Sequence, residues 1–235
     1  MIDKIEENDL EFTAIWSKRT TLECGTLFMN ENLPNDLFFD KLTNMTCLSE
    51  KMVDKVVEIF HENNMRPYVY TLNNPNLDEL LLRKKFKFYD TQHVLKISPL
   101  SDSKNFPVHK ISKNDSLLWA EIFCKSYDCS EWIDAINNII RDSYSKVEYL
   151  VDTEYNASCV ALCEKNSILG LYCLGTLPEK RNQGLAKLLI NYALNKVKTR
   201  NLGFLMLETY QRDNLLEFYS KLGFKKVYEK KIYTI

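Results

Sequence analysis

The sequence predicts an α/β fold with a mixed sheet, in which short apolar strands alternate with amphipathic helices. Two observations carry that expectation. From about residue 106 the chain reads as a strand, two helices, three strands, a helix, a strand, a helix and two closing strands. Within that order an apolar run, Ile168–Leu174, leads into a polar loop, and an amphipathic helix over Leu185–Lys198 leads out of it. The loop therefore joins a strand to a helix N-terminus.

Composition sets the outer limits. The chain has 235 residues and 45% apolar content, enough for one large or two small folded domains with a real core. A formal net charge of −1 gives no global attraction to nucleic acid or to an anionic membrane, so neither is an expected partner. None of the seven cysteines (Cys24, Cys47, Cys124, Cys129, Cys159, Cys163, Cys173) forms a CxxC pair; Cys159, Cys163 and Cys173 read as buried free thiols on adjacent strands, and neither disulfides nor zinc is expected. The chain opens on Asp3, Lys4, Glu6, Glu7 and Asp9, and no run reaches the ~18 apolar residues of a membrane span. The cytoplasm is the expected compartment. Nothing in the sequence sets the oligomeric state.

In order, residues 1–20 form a lead-in with Leu10, Phe12, Ile15 and Trp16 on one apolar face, and Thr26–Asn30 and Leu37–Leu42 read as extended. Ser49 caps a helix whose Met52, Val53, Val56, Val57 and Phe60 recur at helical spacing. Pro67–Leu72 alternates as a strand, Asn74 opens a helix through Leu82, and Phe86–Ile97 is extended. Residues 98–107 are polar, aperiodic and carry two prolines, which places a boundary between domains 1–100 and 106–235. Beyond it come a strand at Val108–Ile111, helices capped by Asp115 and Ser130, and strands at Val147–Val151, Ser158–Glu164 and Ile168–Gly175. After the Leu185 helix follow a strand at Phe204–Thr209, a helix from Asn214, and strands at Phe224–Tyr228 and Ile232–Ile235.

A strand-to-helix loop binds anions because the first N–H groups of the helix have no partner within it and sit at the positive end of its dipole. Gly184 serves either a tight turn there or a close approach of backbone to ligand, and both readings stand at this point. The flanks add weight. Arg181-x-x-Gly184-x-Ala186, after a strand ending in Thr176-Leu177-Pro178, resembles the acetyl-CoA pyrophosphate loop of the GNAT superfamily of N-acetyltransferases. Downstream, Asn214 to Phe224 contains Tyr219-Ser220-Lys221-Leu222-Gly223-Phe224, similar to that family's Y-x-K-L-G-F element. The resemblance covers residues 106 to the C-terminus. It implies acetyl-CoA as co-substrate and a small-molecule or peptide amine as acceptor.

The N-terminal half resembles a degenerate repeat of the same domain. Setting Phe86 on Phe224, an offset of 138, lays the strand Tyr68–Leu72 on Met206–Tyr210 and the helix Lys51–Asn63 on Leu189–Asn201. The same offset puts Thr43–Leu48, without a glycine, where Arg181–Ala186 stand, and Leu81 where Tyr219 stands. Two tandem GNAT-like domains, one lacking the cofactor loop, are therefore expected.

The resemblance implies direct attack of a neutral amine on the thioester. Backbone N–H groups of Asn182, Gln183, Gly184, Leu185, Ala186 and Lys187 would hold the pyrophosphate, and the main chain of Leu174, Thr176 and Leu177 would pair with the pantetheine arm, with an N–H near Thr176 facing the thioester oxygen. Arg181 is either a phosphate contact or a solvated charge, and Asn214 either bonds the arm or caps the helix. Tyr219, which by helix position alone would be core packing, takes the place of a general acid to the CoA thiolate. Full transfer from tyrosine to a thiolate is uphill by ~2 kcal/mol on reference values, so donation of a hydrogen bond during C–S cleavage is the better description. Glu208 is the first candidate base, with Asp128 and Glu131 next, and no metal is required. A CoA-binding module without turnover is the alternative, and it would need the loop but not Tyr219.

Overall fold

A computed structural model describes residues 1–99 and 106–235 of the chain. In chain order the elements are α1 (Ile2–Trp16), β1 (Lys18–Leu22), β2 (Gly25–Met29), β3 (Lys41–Thr43), α2 (Glu50–Glu62), β4 (Tyr68–Thr71), α3 (Pro75–Arg83) and β5 (Lys87–Ile97). There follow β6 (Val108–Lys110), α4 (Ser116–Tyr127), α5 (Ile133–Ser143), β7 (Glu148–Asp152), β8 (Ser158–Lys165), β9 (Ile168–Thr176), α6 (Leu185–Thr199), β10 (Phe204–Tyr210), α7 (Leu216–Lys221) and β11 (Lys225–Thr234). Two compact units result. The first comprises Met1–Phe12, Leu95–Glu208 and Lys221–Lys225, and the second Thr13–Val94, Thr209–Ser220 and Lys226–Ile235.

In the first unit the strands run β10-β9-β8-β7-β6. Only the β10–β9 pair is parallel, with Phe204 opposite Ile168 and Leu207 opposite Leu171, and the other pairs are antiparallel. Helix α6 buries Leu185, Leu189, Ile190, Ala193 and Val197, the apolar stripe that the 3.6-residue period requires of a helix laid on a sheet. Helix α4 contributes Trp119, fully buried, whose indole N–H donates to the Val160 carbonyl at 3.2 Å. That bond satisfies the one polar atom of an otherwise apolar anchor.

The first turns of α1 also belong to this unit. The fully buried Asn8 amide donates to the Cys163 and Ile168 carbonyls, both at 3.3 Å, and its oxygen accepts from the Tyr172 hydroxyl at 2.7 Å. The Phe12 and Tyr172 rings stack at 3.9 Å. The compact units consequently do not follow the expected division into 1–100 and 106–235: the first twelve residues pack with the later half, and the last strand packs with the earlier one. Residues 100–105 of the expected linker lie outside the described residues.

In the second unit the order is β1-β2-β3-β4-β11, with the β3–β4 pair parallel and the rest antiparallel. Its core gathers Leu42, Val53, Val56, Phe60, Val69, Leu77, Leu80 and Phe86. Several expectations are corrected here. Cys24 and Cys47 form a disulfide with Cα atoms 5.3 Å apart, because the β2–β3 pairing returns the chain to the β1–β2 turn, where the Thr46 N–H donates to the Cys24 carbonyl at 2.9 Å. Leu37–Leu42 is not extended throughout: the Asp36 carboxylate takes the Phe38 and Phe39 N–H groups at 2.8 and 2.9 Å, a side-chain turn that holds off the strand until Lys41. The two closing strands are one, β11.

The internal offset persists in the structure. Strand β5 begins at Lys87 and β11 at Lys225, again 138 apart, and Lys85 and Gly223 ahead of them share a left-handed backbone, at φ 67° and 96°.

Gly170 lies beneath the Asn8 network, where an added Cβ would stand 2.2 Å from the Asn8 Oδ1 and 2.4 Å from the Tyr172 ring. Gly170→Ala should cost about 1–3 kcal/mol of stability through this overpacking, read from the denaturant midpoint of the full chain. An unchanged midpoint would show that α1 does not hold this position.

Candidate functional site

Strand β9 is buried from Ile168 to Tyr172 and then changes character. Ala161 pairs with Tyr172 but Cys159 with Gly175, so β9 carries one more residue than its partner, and Cys173 takes a left-handed φ of 54°. This is a bulge, and bulges re-aim the strand that carries them. The neighbouring thiols are inert packing groups, as expected of buried cysteines: burial pushes Cys163 up to about 12 and raises Cys159 as well.

Past the bulge the strand end is fixed from below. The fully buried Asp152 carboxylate accepts from the N–H groups of Tyr155 at 2.7 Å, Ala157 at 2.8 Å and Ser158 at 2.7 Å. Ser158 Oγ in turn donates to the Gly175 carbonyl at 2.7 Å, and the Leu177 N–H donates to the Ala157 carbonyl at 2.8 Å. Tyr127 Oη donates to the Leu174 carbonyl at 2.9 Å. The chain then makes a short 3-10 turn at Pro178–Lys180 and reaches the exposed residues 181–184.

The loop closes on two left-handed residues, Asn182 at φ 62° and Gly184 at φ 84°. Gly184 is the N-cap of the fifteen-residue α6 and makes no side-chain cap bond; the first intrahelical bond runs from the Leu188 N–H to its carbonyl at 2.9 Å. The N–H groups of Leu185, Ala186 and Lys187 thus have no acceptor inside the helix, and the first turn contains no acidic residue. A Cβ built on Gly184 meets nothing within 4 Å. The left-handed backbone meets the tight-turn reading of this glycine, and the space over the helix N-terminus is open.

Helix α2 of the second unit shows the opposite arrangement. Ser49 Oγ accepts from the Met52 N–H at 3.2 Å, and Glu50 places a carboxylate in the first turn, 3.5 Å from Lys84 Nζ. The loop before it carries the Cys24–Cys47 bond in place of a glycine. That helix N-terminus is already occupied by its own side chains.

Of the remaining sequence candidates, Glu208 lies half-buried on β10 in the first unit, and Asn214 and Tyr219 lie in the second. Asn214 is left-handed at φ 53° and α7 starts at Leu216, so Asn214 does not cap it. Tyr219 is 6% exposed; burial, and secondarily the charge of Asp213, raises its hydroxyl above the ordinary tyrosine range. It therefore stays protonated throughout the neutral range. Asp128 and Glu131 are exposed in the connection between α4 and α5, where Asp128 takes a left-handed φ of 57°. The arginine of the loop is not a free charge. Arg181 Nε donates to the Thr176 carbonyl at 3.2 Å and Nη2 to the Ser126 carbonyl at 2.8 Å, contacts that no local sequence signal announces.

Residues 147–226 match the family model described as "Acetyltransferase (GNAT) domain". This stretch is similar to GNAT acetyltransferase domains. It spans β7 to the start of β11 and so contains both the Arg181–Ala186 loop and Tyr219. Among solved structures, a GCN5-related N-acetyltransferase from Kribbella flavida is similar at a TM-score of 0.70 and 12% identity, covering 98% of this chain and 93% of its own. A GCN5-related N-acetyltransferase from Sphaerobacter thermophilus gives 0.63 at 11% identity over 100% and 90%. A tandem GNAT protein from the clavulanic acid biosynthesis pathway gives 0.63 at 8% identity over 90% and 78%. Identities this low speak to fold alone, and the coverage extends that fold over the whole chain as two GNAT-like domains. No curated protein matches the sequence. Among the described residues no helix is long and apolar enough to cross a membrane.

Gly184→Ala should lower stability by about 1–2 kcal/mol, from the left-handed backbone alone since no atom stands in the way of the methyl group. Thermal unfolding of the two proteins without ligand checks this, and equal midpoints would remove the need for glycine at this turn.

Proposed function

We propose that the GNAT domain transfers the acetyl group of acetyl-CoA to a primary amine of a small molecule or peptide by direct attack in a ternary complex. The observation that carries the reading is the β9–α6 loop: an uncapped fifteen-residue helix, a left-handed Gly184 with open space above it, and no acid in the first turn. Such a cradle suits a pyrophosphate, whose charge the N–H groups of residues 182–187 would meet. Acetyl-CoA, when bound, supplies an acetyl thioester activated toward amines. The main chain of Leu174, Thr176 and Leu177 is the proposed partner of the pantetheine arm, and an N–H near Thr176 the proposed donor to the thioester oxygen.

In the reaction a C–N bond forms, the C–S bond breaks, the amine loses a proton and the departing sulfur gains one or a strong hydrogen bond. Tyr219 is assigned the last role on the motif it occupies, and its raised hydroxyl supports donation by hydrogen bond over full ionisation. Glu208 is the proposed acceptor of the amine proton. Its help matters more for a lysine side chain, ~4.6 kcal/mol from the neutral form at pH 7, than for an α-amine at ~1 kcal/mol. The N-terminal repeat, whose α2 is capped by Ser49 and carries Glu50 in its first turn, is proposed to bind no second cofactor.

Calorimetry should accordingly find one acetyl-CoA site per chain, lost or strongly weakened in Gly184→Asp, where a carboxylate would repel the pyrophosphate. Two sites, or equal binding by both proteins, would remove the loop assignment. Tyr219→Phe should keep acetyl-CoA affinity and lower kcat by roughly 10- to 1000-fold in an amine-panel assay. An unchanged chemistry-limited rate takes Tyr219 out of the mechanism, while binding without turnover on any amine would favour a CoA-binding module.

A further inference from the structure

Helix α4 ends at Tyr127, and its last carbonyls lack intrahelical donors and carry the negative end of the helix dipole. The N–H groups of Asp128 and Cys129 both return to the Cys124 carbonyl, leaving the Ser126 carbonyl to a donor from elsewhere. That donor is Arg181 Nη2, 2.8 Å away, while Nε of the same guanidinium donates to the Thr176 carbonyl at the end of β9. A planar fork thereby ties two main-chain carbonyls from different elements. Two further observations place the α4 terminus hard against this strand. Tyr127 Oη bonds the Leu174 carbonyl, and a Cβ on Gly175 would stand 2.8 Å from Ser126 Cβ.

We propose that Arg181 is a positioning residue. It fixes the last turn of α4, and with it the 128–132 connection that carries Asp128 and Glu131, at a set place relative to the end of β9. The arginine of the β9–α6 loop then acts through main-chain carbonyls on the connection that carries two of the candidate bases for the acceptor amine. Its consequence for acceptor kinetics rests on the acetyltransferase reading above; its consequence for the order of residues 126–132 does not.

The test uses the full chain as Arg181→Ala and Arg181→Lys, the latter keeping the charge but not the fork. Without acetyl-CoA, hydrogen–deuterium exchange at residues 126–132 should speed up by roughly tenfold or more in both variants, with the rest of α4 unchanged. Exchange indistinguishable from wild type would overturn the proposal, since a phosphate contact leaves no trace before the phosphate arrives. In turnover, Arg181→Lys should raise the acceptor KM by roughly tenfold and move the acetyl-CoA KM by less than about threefold. The opposite split would also overturn it and make Arg181 a phosphate ligand. A wild-type protein that binds no acetyl-CoA defeats the proposed function alone, because the exchange measurement still decides the role of Arg181.

Discussion

The first unit depends on one strand meeting two incompatible demands. Over Ile168–Tyr172, β9 is a buried central strand, antiparallel to β8 and parallel to β10, so its main-chain groups are spoken for by the sheet. Over its last residues it must present backbone and turn toward a helix N-terminus. The bulge at Cys173 separates the two regimes, and Asp152, Ser158 and Ala157 then hold the turned end by side-chain and main-chain bonds. Everything proposed of the loop presupposes this rigid exit, because a helix N-terminus attracts an anion only if its amides are held at one place.

The two halves show how one architecture diverges by changes at a single junction. At α6 the N-cap is a glycine without a side chain, and at α2 it is Ser49, whose oxygen takes the amide that a phosphate would need. Glu50 adds a negative charge at the position where it stabilises the helix and repels an anion. Self-capping stabilises α2 by satisfying one of its own first-turn amides. A similar difference appears ahead of β5 and β11, where a left-handed residue is needed in both and only the later half uses glycine, leaving Lys85 to bear the strain in the earlier one.

What the sequence revealed and what it concealed divide by range. Arg181, Gly184, Ala186 and Tyr219 stand within one strand-loop-helix unit or one short helix, so a family resemblance could be read from two short stretches, and the elements around them fell where periodicity put them. Strand β1 escaped notice because Lys18-Arg19-Thr20-Thr21-Leu22 is an exposed edge with no apolar alternation. The Cys24–Cys47 bond and the Asn8 network link residues that only the folded sheet brings together, and no spacing rule reports such pairs. The two carbonyl contacts of Arg181 belong to the same class. A motif names the residue, and the fold decides what its side chain does.

The place of the first turns of α1 changes how the first unit must be understood. Read from sequence, the later half begins after the linker; in the structure the side chain that bonds its buried carbonyls at Cys163 and Ile168 comes from the first turns of the chain. Severing them would remove the Asn8 hydrogen bonds to both carbonyls and to the Tyr172 hydroxyl, each worth about 0.5–1.5 kcal/mol, and would strip the Phe12 ring from Tyr172. A domain worth 5–15 kcal/mol in total has little margin for such losses. The first twelve residues are thus structurally part of the first unit, and its folding draws on chain that the sequence places ahead of the linker.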